Sequence, residues 1–309
     1  MNDKLSWENH RGNYICTKGN FDLIDCDICK FRHIIPIPDV QALANIYKDK
    51  YYSKDVPLYL DQDKEDLEWW NLTFDEQLKT LETLLKNKTN KKVLDIGSGP
   101  GYFLLRAKKL YWSCYGVEPS VKAAEHSREL GLDIINDFFS NDLIKKFDTK
   151  FDVIRLRNVL EHLPNPIETI ALTKSILNPK GILFVTVPND FNPFQLTLQS
   201  ECEFEDWWVS PPHHINYFNF DSICHLLETH NFEILQKETS FPMELFLLMG
   251  ENYINDPGLG KACHKKRKNY EILLSKAGFN EVKNNFFRAL AKSNLGREAI
   301  IYCKLKEDN

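Results

Sequence analysis

Val93-Leu94-Asp95-Ile96 runs directly into Gly97-Ser98-Gly99-Pro100-Gly101, so three alternate glycines stand behind a short apolar run. That arrangement constrains the chain more than any other feature. Glycines there let the backbone turn sharply and approach a ligand that a Cβ would block. The helix expected to open after Gly101 offers free N–H groups and the positive end of its dipole, which suits a carboxylate or a phosphate. A dinucleotide-binding loop would need a third glycine at position 102, and Tyr102 stands there. Glu118 ends the next apolar run about twenty residues on, where an acidic side chain can accept both ribose hydroxyls. Solvated strand ends around a plain tight turn are the alternative reading of Asp95, Glu118 and the glycines.

The glycine loop opens a regular alternation. Val93–Ile96, Cys114–Val117, Asp133–Ile135, Phe151–Leu156 and Ile182–Val187 read as strands, with helices expected near 101–110, 120–130, 139–146 and 165–177. Strands spaced by helices imply βαβ units, a parallel sheet and right-handed crossovers. Asn178-Pro179-Lys180-Gly181 reads as the turn into the last of these strands. Upstream, Leu67, Trp70, Phe74, Leu78, Leu81 and Leu85 recur at helical steps within 64–87, while residues 1–60 show no sustained period. Downstream, 188–219, rich in Phe, Trp, Pro and His, reads as a loop-rich segment beside a pocket. A helix near 220–229, a strand near 232–238, helical pieces over 241–296 and a last strand at 298–305 follow.

Val93–Tyr102, Gly116-Val117-Glu118-Pro119, Phe151-Asp152-Val153-Ile154, Leu160-Glu161-His162-Leu163 and Ile182–Val187 resemble the ordered motifs of class I methyltransferases that use S-adenosylmethionine (SAM). The likeness is nearest to the branch acting on small molecules and sugars. It implies an α/β fold: a Rossmann-like, doubly wound, seven-stranded sheet whose last strand is antiparallel. The expected organisation is an N-terminal extension over 1–63, a SAM-binding core over 64–240, a helical insertion over 241–297 and the final strand of the core in 298–309. By the same resemblance Gly97, Ser98, Gly99 and Gly101 would cradle the methionine part of SAM, with Asp95 at the strand end. Glu118 would bind the ribose, with Pro119 and Val121 flanking the adenine and Asp137-Phe138 at its edge. Arg157, Asn158 and Val159 would line the methionyl end. Asp137 and Asn158 also read as capping residues, and His162 as a loop-ordering one.

Methyl transfer from a sulfonium is an in-line displacement with a good leaving group, so the protein must position the acceptor and take its proton. Pro211-Pro212-His213-His214-Ile215-Asn216-Tyr217-Phe218 resembles the H-x-x-Y-F segment of sugar methyltransferases, which makes His214 the candidate base. His213 stands where C-methylating relatives often carry Glu. The competing reading is a histidine pair that packs the loop. Tyr51 and Tyr52 resemble an N-terminal flap, and Trp207-Trp208 read as either an acceptor wall or lid packing. Lys265-Lys266-Arg267-Lys268 reads as a solvated helix face, or as an attractor for a phosphate-bearing acceptor.

Lys+Arg 39 against Asp+Glu 44 gives 39 − 44 = −5, which disfavours a general grip on nucleic acid, and no Asn-Pro-Pro-Tyr-like motif follows the fourth strand. Met1–Asn20 is polar and no run approaches the roughly 18 apolar residues of a membrane helix, so a cytoplasmic protein is expected. Among eight cysteines only Cys26 and Cys29 are closely spaced. Asp25–Pro36 resembles the second half of zinc modules that precede some sugar methyltransferases. A structural zinc takes four ligands, usually two such pairs. The first pair is missing, with only His10, Cys16 and His33 at hand, so a remnant without metal is expected.

These readings converge on a SAM-dependent methyltransferase, with S-adenosylhomocysteine (SAH) as product. The expected reaction is O-methylation of a sugar or nucleotide-linked sugar in surface-glycan biosynthesis. An N- or C-methyltransferase of another metabolite, an NAD-dependent oxidoreductase and a catalytically silent SAM-binding protein are the alternatives.

Overall fold

The computed structural model describes residues 4–39, 66–86 and 88–307. Its main sheet has seven strands. In chain order they are β5 (Lys92–Ile96), β6 (Ser113–Val117), β7 (Asp133–Ile135), β8 (Phe151–Arg157), β9 (Leu177–Pro188), β11 (Phe232–Glu238) and β12 (Glu298–Leu305). The spatial order is β11-β12-β9-β8-β5-β6-β7. Neighbours from β7 through β9 run parallel, and β12 runs antiparallel to both β9 and β11. This is the Rossmann-like sheet with a reversed last strand that the sequence implied. The chain leaves β5 towards β6 on one side and returns to β8 on the other. Ligands in such sheets sit outside the carboxyl ends of the strands at this reversal.

Both faces of the sheet are covered, so its strands read as near-continuous apolar runs. Leu94, Ile96, Ile154 and Leu156 point into one core layer with Ile170, Ile223 and Leu227. Val93 and Val153 point into the other with Leu78, Leu81, Phe103 and Phe184. Strand alternation places Asp95 and Arg155 on the second face, and the parallel register sets them side by side. Helix α1 (Leu67–Leu85), which realises the 64–87 periodicity, covers that face together with α2 (Tyr102–Lys109).

The structure departs from the sequence reading in three places. Residues read as aperiodic form four antiparallel strands: β1 (Lys4–Trp7), β2 (His10–Lys18), β3 (Phe21–Cys26) and β4 (Arg32–Ile35). Strand β1 alternates exposed and half-buried residues over only four positions, and β2 mixes buried, half-buried and exposed residues, so no sustained period-2 signal reaches the sequence. The segment 188–219 is not all loop. It contains a helix at Pro193–Cys202 and the two-residue strand β10 (Asn216–Tyr217), which pairs with β4 and completes a five-stranded second sheet. Asn178–Gly181 lies within β9, at a register irregularity opposite Phe151 and Val153, rather than in a separate turn. The insertion folds as helices at Glu244–Leu248, Pro257–Lys276 and Asn280–Lys292. The second of these packs on α1, fastened by Asp66 to His264 and Lys268.

Candidate active site

A cleft of about 1050 Å³ opens at the carboxyl ends of β5, β6 and β8. The glycine loop forms one wall. Gly97, at φ 71°, accepts no side chain, because a Cβ there would meet Val159 Cγ2 at 2.6 Å. Gly99, at φ 52°, has open space where a Cβ would be, so ligand atoms can approach its backbone. Ser98 Oγ is buried without a hydrogen-bond partner among the described residues. Glu118 lies opposite, 6% exposed. Its carboxylate accepts from the Gly99 and Ser120 backbone N–H groups, both at 2.8 Å. Burial pushes its pKa above the ordinary carboxyl value, against the pull of those two bonds. Each carboxylate oxygen keeps a lone pair for a further donor.

Of the residues expected to hold SAM, Gly97, Ser98, Gly99, Glu118, Pro119, Phe138 and Asn158 line this cleft. Asp95, Gly101 and Asp137 stand outside its wall. Asp95 is fully buried beneath the loop, and Arg155 Nη1 donates to both its carboxylate oxygens at 3.0 and 2.9 Å. Gly101, at φ 77°, precedes α2, and its N–H donates to Ser98 O. Asp137 caps its own turn through Phe138 N–H and lies 3.8 Å from Lys146. Asn158 adopts φ 53° after β8, and its N–H donates to Thr186 O.

His214 lines the same cleft. The hydroxyl of Tyr217 closes its loop, donating to His214 O and accepting from Ser210 N–H, both at 3.0 Å. Burial pushes the His214 imidazole down to about 3, so the ring is neutral at physiological pH, and its Nδ1 is buried without a partner among the described residues. His162 packs edge-on against it, with ring centroids 5.0 Å apart, and its Nδ1 lies 2.6 Å from His213 O. Trp207 and Trp208 do not reach this space. Trp208 is buried against Phe191 and Tyr217, so lid packing is the reading the geometry favours. Tyr51 and Tyr52 lie outside the described residues.

Several wall residues escaped the sequence reading. Trp69 and Trp70 face the cleft from α1, and Arg297 and Glu298 face it from the start of β12. Arg267 belongs to the basic run read as a solvated helix face or as an attractor for a phosphate-bearing acceptor, with no member singled out. Lys265 and Lys266 are exposed, yet Arg267 turns inward with its guanidinium 4.6 Å from the Trp69 ring. Helical spacing over Cys263 and Arg267, one buried and one half-buried, was the available signal. Glu161, 1% exposed, is also in the cleft.

Burial raises the Glu161 carboxyl from 4.5 to about 8. The folded state therefore favours the protonated acid. The associated stability is complete below the unfolded value and is lost as pH rises through about 8. Glu161→Gln is expected to flatten that loss, up to about 5 kcal/mol. Denaturant midpoints of both proteins at acid and alkaline pH measure it, and equal pH slopes would refute it.

This arrangement defines a Rossmann-like methyltransferase fold. The chain belongs to the methyltransferase-domain family, whose model matches residues 70–237, just over half of its length. Members of that family use SAM as methyl donor. The ubiquinone biosynthesis O-methyltransferase of Actinobacillus pleuropneumoniae serotype 7 (strain AP76) is 37% identical over 109 residues, 32% of this chain and 46% of that protein. The C-methyltransferase NovU of Streptomyces niveus is 24% identical over 151 residues, 48% of this chain and 34% of that protein. The chain thus spans about half the length of the ubiquinone biosynthesis O-methyltransferases it matches. Among solved structures, the plantazolicin methyltransferase BamL, in complex with a triazolic desmethylPZN analog and SAH, superposes with a TM-score of 0.51 at 13% identity, over 86% of this chain and 94% of that one. A SAM dependent methyltransferase from Archaeoglobus fulgidus gives 0.51 at 17%, over 80% and 99%. These two likenesses speak for the fold. Among the described residues no helix is long and apolar enough to cross a membrane.

Proposed function

We propose that this chain transfers a methyl group from SAM to a hydroxyl of a small, anionic acceptor, most simply a sugar or a nucleotide-linked sugar used in glycan assembly in the cytoplasm. The observation that carries the reading is one cleft holding both the glycine loop with Glu118 and a buried neutral histidine. The orphaned Ser98 Oγ and the open side of Gly99 fit a bound nucleoside with an amino-acid tail. SAM, when bound, supplies a methyl on a positively charged sulfur.

Gly97, Ser98 and Gly99 would hold the methionyl part, Glu118 the ribose and Phe138 the adenine face. His214 then accepts the acceptor's hydroxyl proton as the new O–CH3 bond forms. The neutral imidazole would gain one positive charge as the S–CH3 bond breaks and the sulfonium becomes a neutral thioether, so the charge buried in the cleft would stay constant. That balance makes a weakly basic, buried histidine workable where it would fail as a free base. Arg157, Arg267 and Arg297 line the cleft, Arg157 beside Glu298 and Arg297 beside Glu244, and the positive charge they leave over suits phosphate. Trp70 and Trp69 lie against the Arg157 and Arg267 guanidiniums and hold them in place.

Replacing His214 with alanine is expected to lower turnover by about 10²–10⁴-fold with SAH affinity within about twofold of the parent. Radiolabel transfer from SAM onto a panel of nucleotide sugars, beside calorimetric binding of SAH and NAD, measures both. Full turnover in His214→Ala would remove the proposed base, and failure to bind SAH would remove the whole reading. The partial likeness to NovU favours a second reading, C-methylation, which NMR of the product would separate.

A further inference from the structure

The second sheet carries a cluster that the methyl-transfer site does not use. His10 starts β2, Cys26 ends β3, Cys29 lies in the turn that follows and His33 lies within β4. Folding brings one donor atom from each to within 4.8 Å of all the others. His10 Nδ1 lies 3.8 Å from Cys26 Sγ and 3.3 Å from Cys29 Sγ. A tetrahedral zinc with bonds of about 2.3 Å to sulfur and 2.0 Å to nitrogen separates its donors by roughly 3.3–3.8 Å. His33 Nδ1 lies 3.0 Å from Ile34 O, which fixes its N–H there and leaves Nε2 with the lone pair. That Nε2 is buried with no hydrogen-bond partner among the described residues, and the His33 side chain is 1% exposed. The Cys29 N–H points at Cys26 Sγ from 3.4 Å, the support a bound thiolate requires. An orphaned buried nitrogen facing two thiols and a second imidazole is costly unless something joins them.

We propose that His10, Cys26, Cys29 and His33 bind a structural zinc ion. The two thiolates balance its charge and the two neutral imidazoles complete a closed tetrahedral set, with no position open for catalysis. The missing first cysteine pair is replaced by histidines that only the strand pairing brings near. The ion also reaches the active site through the backbone. His33 pairs with Asn216 in β10, and Ile34 N–H donates to Ile215 O at 3.0 Å. Ile215 N–H in turn donates to Glu161 O, and Asn216 Nδ2 to Leu160 O and Leu163 O. Zinc would therefore fix the strand that directly follows His213–His214. This consequence rests on the proposed function, whereas the ion itself does not.

Metal analysis of the full chain purified from zinc-supplemented medium tests the site. About one zinc per chain is expected in the parent and in Cys202→Ser, whose thiol is exposed and is not a member of the cluster. Cys26→Ser and His33→Ala should lose it, and His33→Cys, which restores a zinc-binding donor, should keep it. Cobalt substitution of the parent should show thiolate-to-metal charge-transfer absorption, which needs no variant to fold. A parent chain without zinc, or one with Cys26 and Cys29 joined as a disulfide, would overturn the proposal. Equal zinc in His33→Ala and parent would do the same. SAH binding measured on the same samples reads the methyl-donor site separately. A chain that holds zinc and ignores SAH keeps this site and sinks the function.

Discussion

Glu118→Ala is expected to weaken SAH binding by about a hundredfold or more while leaving the fold intact. Among the described residues the carboxylate is the one acidic group that both lines the cleft and contacts the glycine loop. In the proposed role, two charge-assisted bonds to ribose hydroxyls, at about 1.5–3 kcal/mol each, would account for roughly 3–6 kcal/mol. The alanine also releases the Gly99 and Ser120 N–H groups that Glu118 now holds, so loop order adds to the loss. Glu118→Gln, which keeps one acceptor oxygen but no charge, should fall between. Because burial raises the Glu118 pKa, its carboxylate protonates at a higher pH than an ordinary glutamate. Affinity should therefore fall as pH is lowered, earlier than the normal carboxyl value implies, and Glu118→Gln should lack that fall. Calorimetric titration of SAH across acid pH measures both effects. An unchanged Kd in Glu118→Ala would place the nucleoside elsewhere.

The glycine loop and the sheet were legible because local chemistry dictates them. A parallel strand buried on both faces reads as a largely apolar run, as Val93-Leu94 and Val153-Ile154 do, and admits Asp95 and Arg155 only as a bonded pair. A turn at φ 71° packed against Val159 must be glycine. The second sheet was hidden for the opposite reason. Strand β1 alternates over only four residues, and β2 carries half-buried and exposed residues on both faces, so no sustained alternation and no continuous apolar run marks them. Pairing of β4 with β10 is a contact between residues more than 180 apart, which no local pattern announces.

The site divides the same way. Gly97, Ser98, Gly99 and Glu118 sit at positions that the strand–turn–helix grammar numbers in advance. Arg267 and Arg297 do not. Arg267 enters the cleft because the insertion helix packs against α1, held by Asp66 to His264 and Lys268. A run of four basic residues cannot indicate which member turns inward. His33 offers the sharpest case: its partners His10, Cys26 and Cys29 come from three other places in the small sheet, and sequence spacing exposes only the cysteine pair.

Asp95 is the residue whose meaning shifts most between sequence and structure, and its replacement should carry a large stability cost. At the end of β5 it looks like a ligand acceptor. In the fold it is fully buried, bonded by Arg155 from the adjacent strand. The Arg155 guanidinium lies 4.2 Å from the Phe103 ring centroid and 5.6 Å from that of Phe74. Burial raises the Asp95 pKa and lowers that of Arg155, each against the partner's attraction. Desolvation therefore opposes the pair, and each charge is tolerable only because the other is there. Asp95→Ala leaves a guanidinium in an aromatic layer with no counter-charge, at a cost of about 3–5 kcal/mol, or a fall in Tm on the order of 10 °C. The double variant Asp95→Leu with Arg155→Met removes both charges at similar volume. It should recover most of that loss, because replacing a buried pair by apolar residues is often neutral. Thermal and denaturant unfolding of Asp95→Leu, Arg155→Met and the double variant close the cycle. SAH affinity of the refolded double variant then separates the two roles. Affinity retained would mean that Asp95 supports the loop from below, whereas affinity lost at recovered stability would mean that the carboxylate itself serves the ligand.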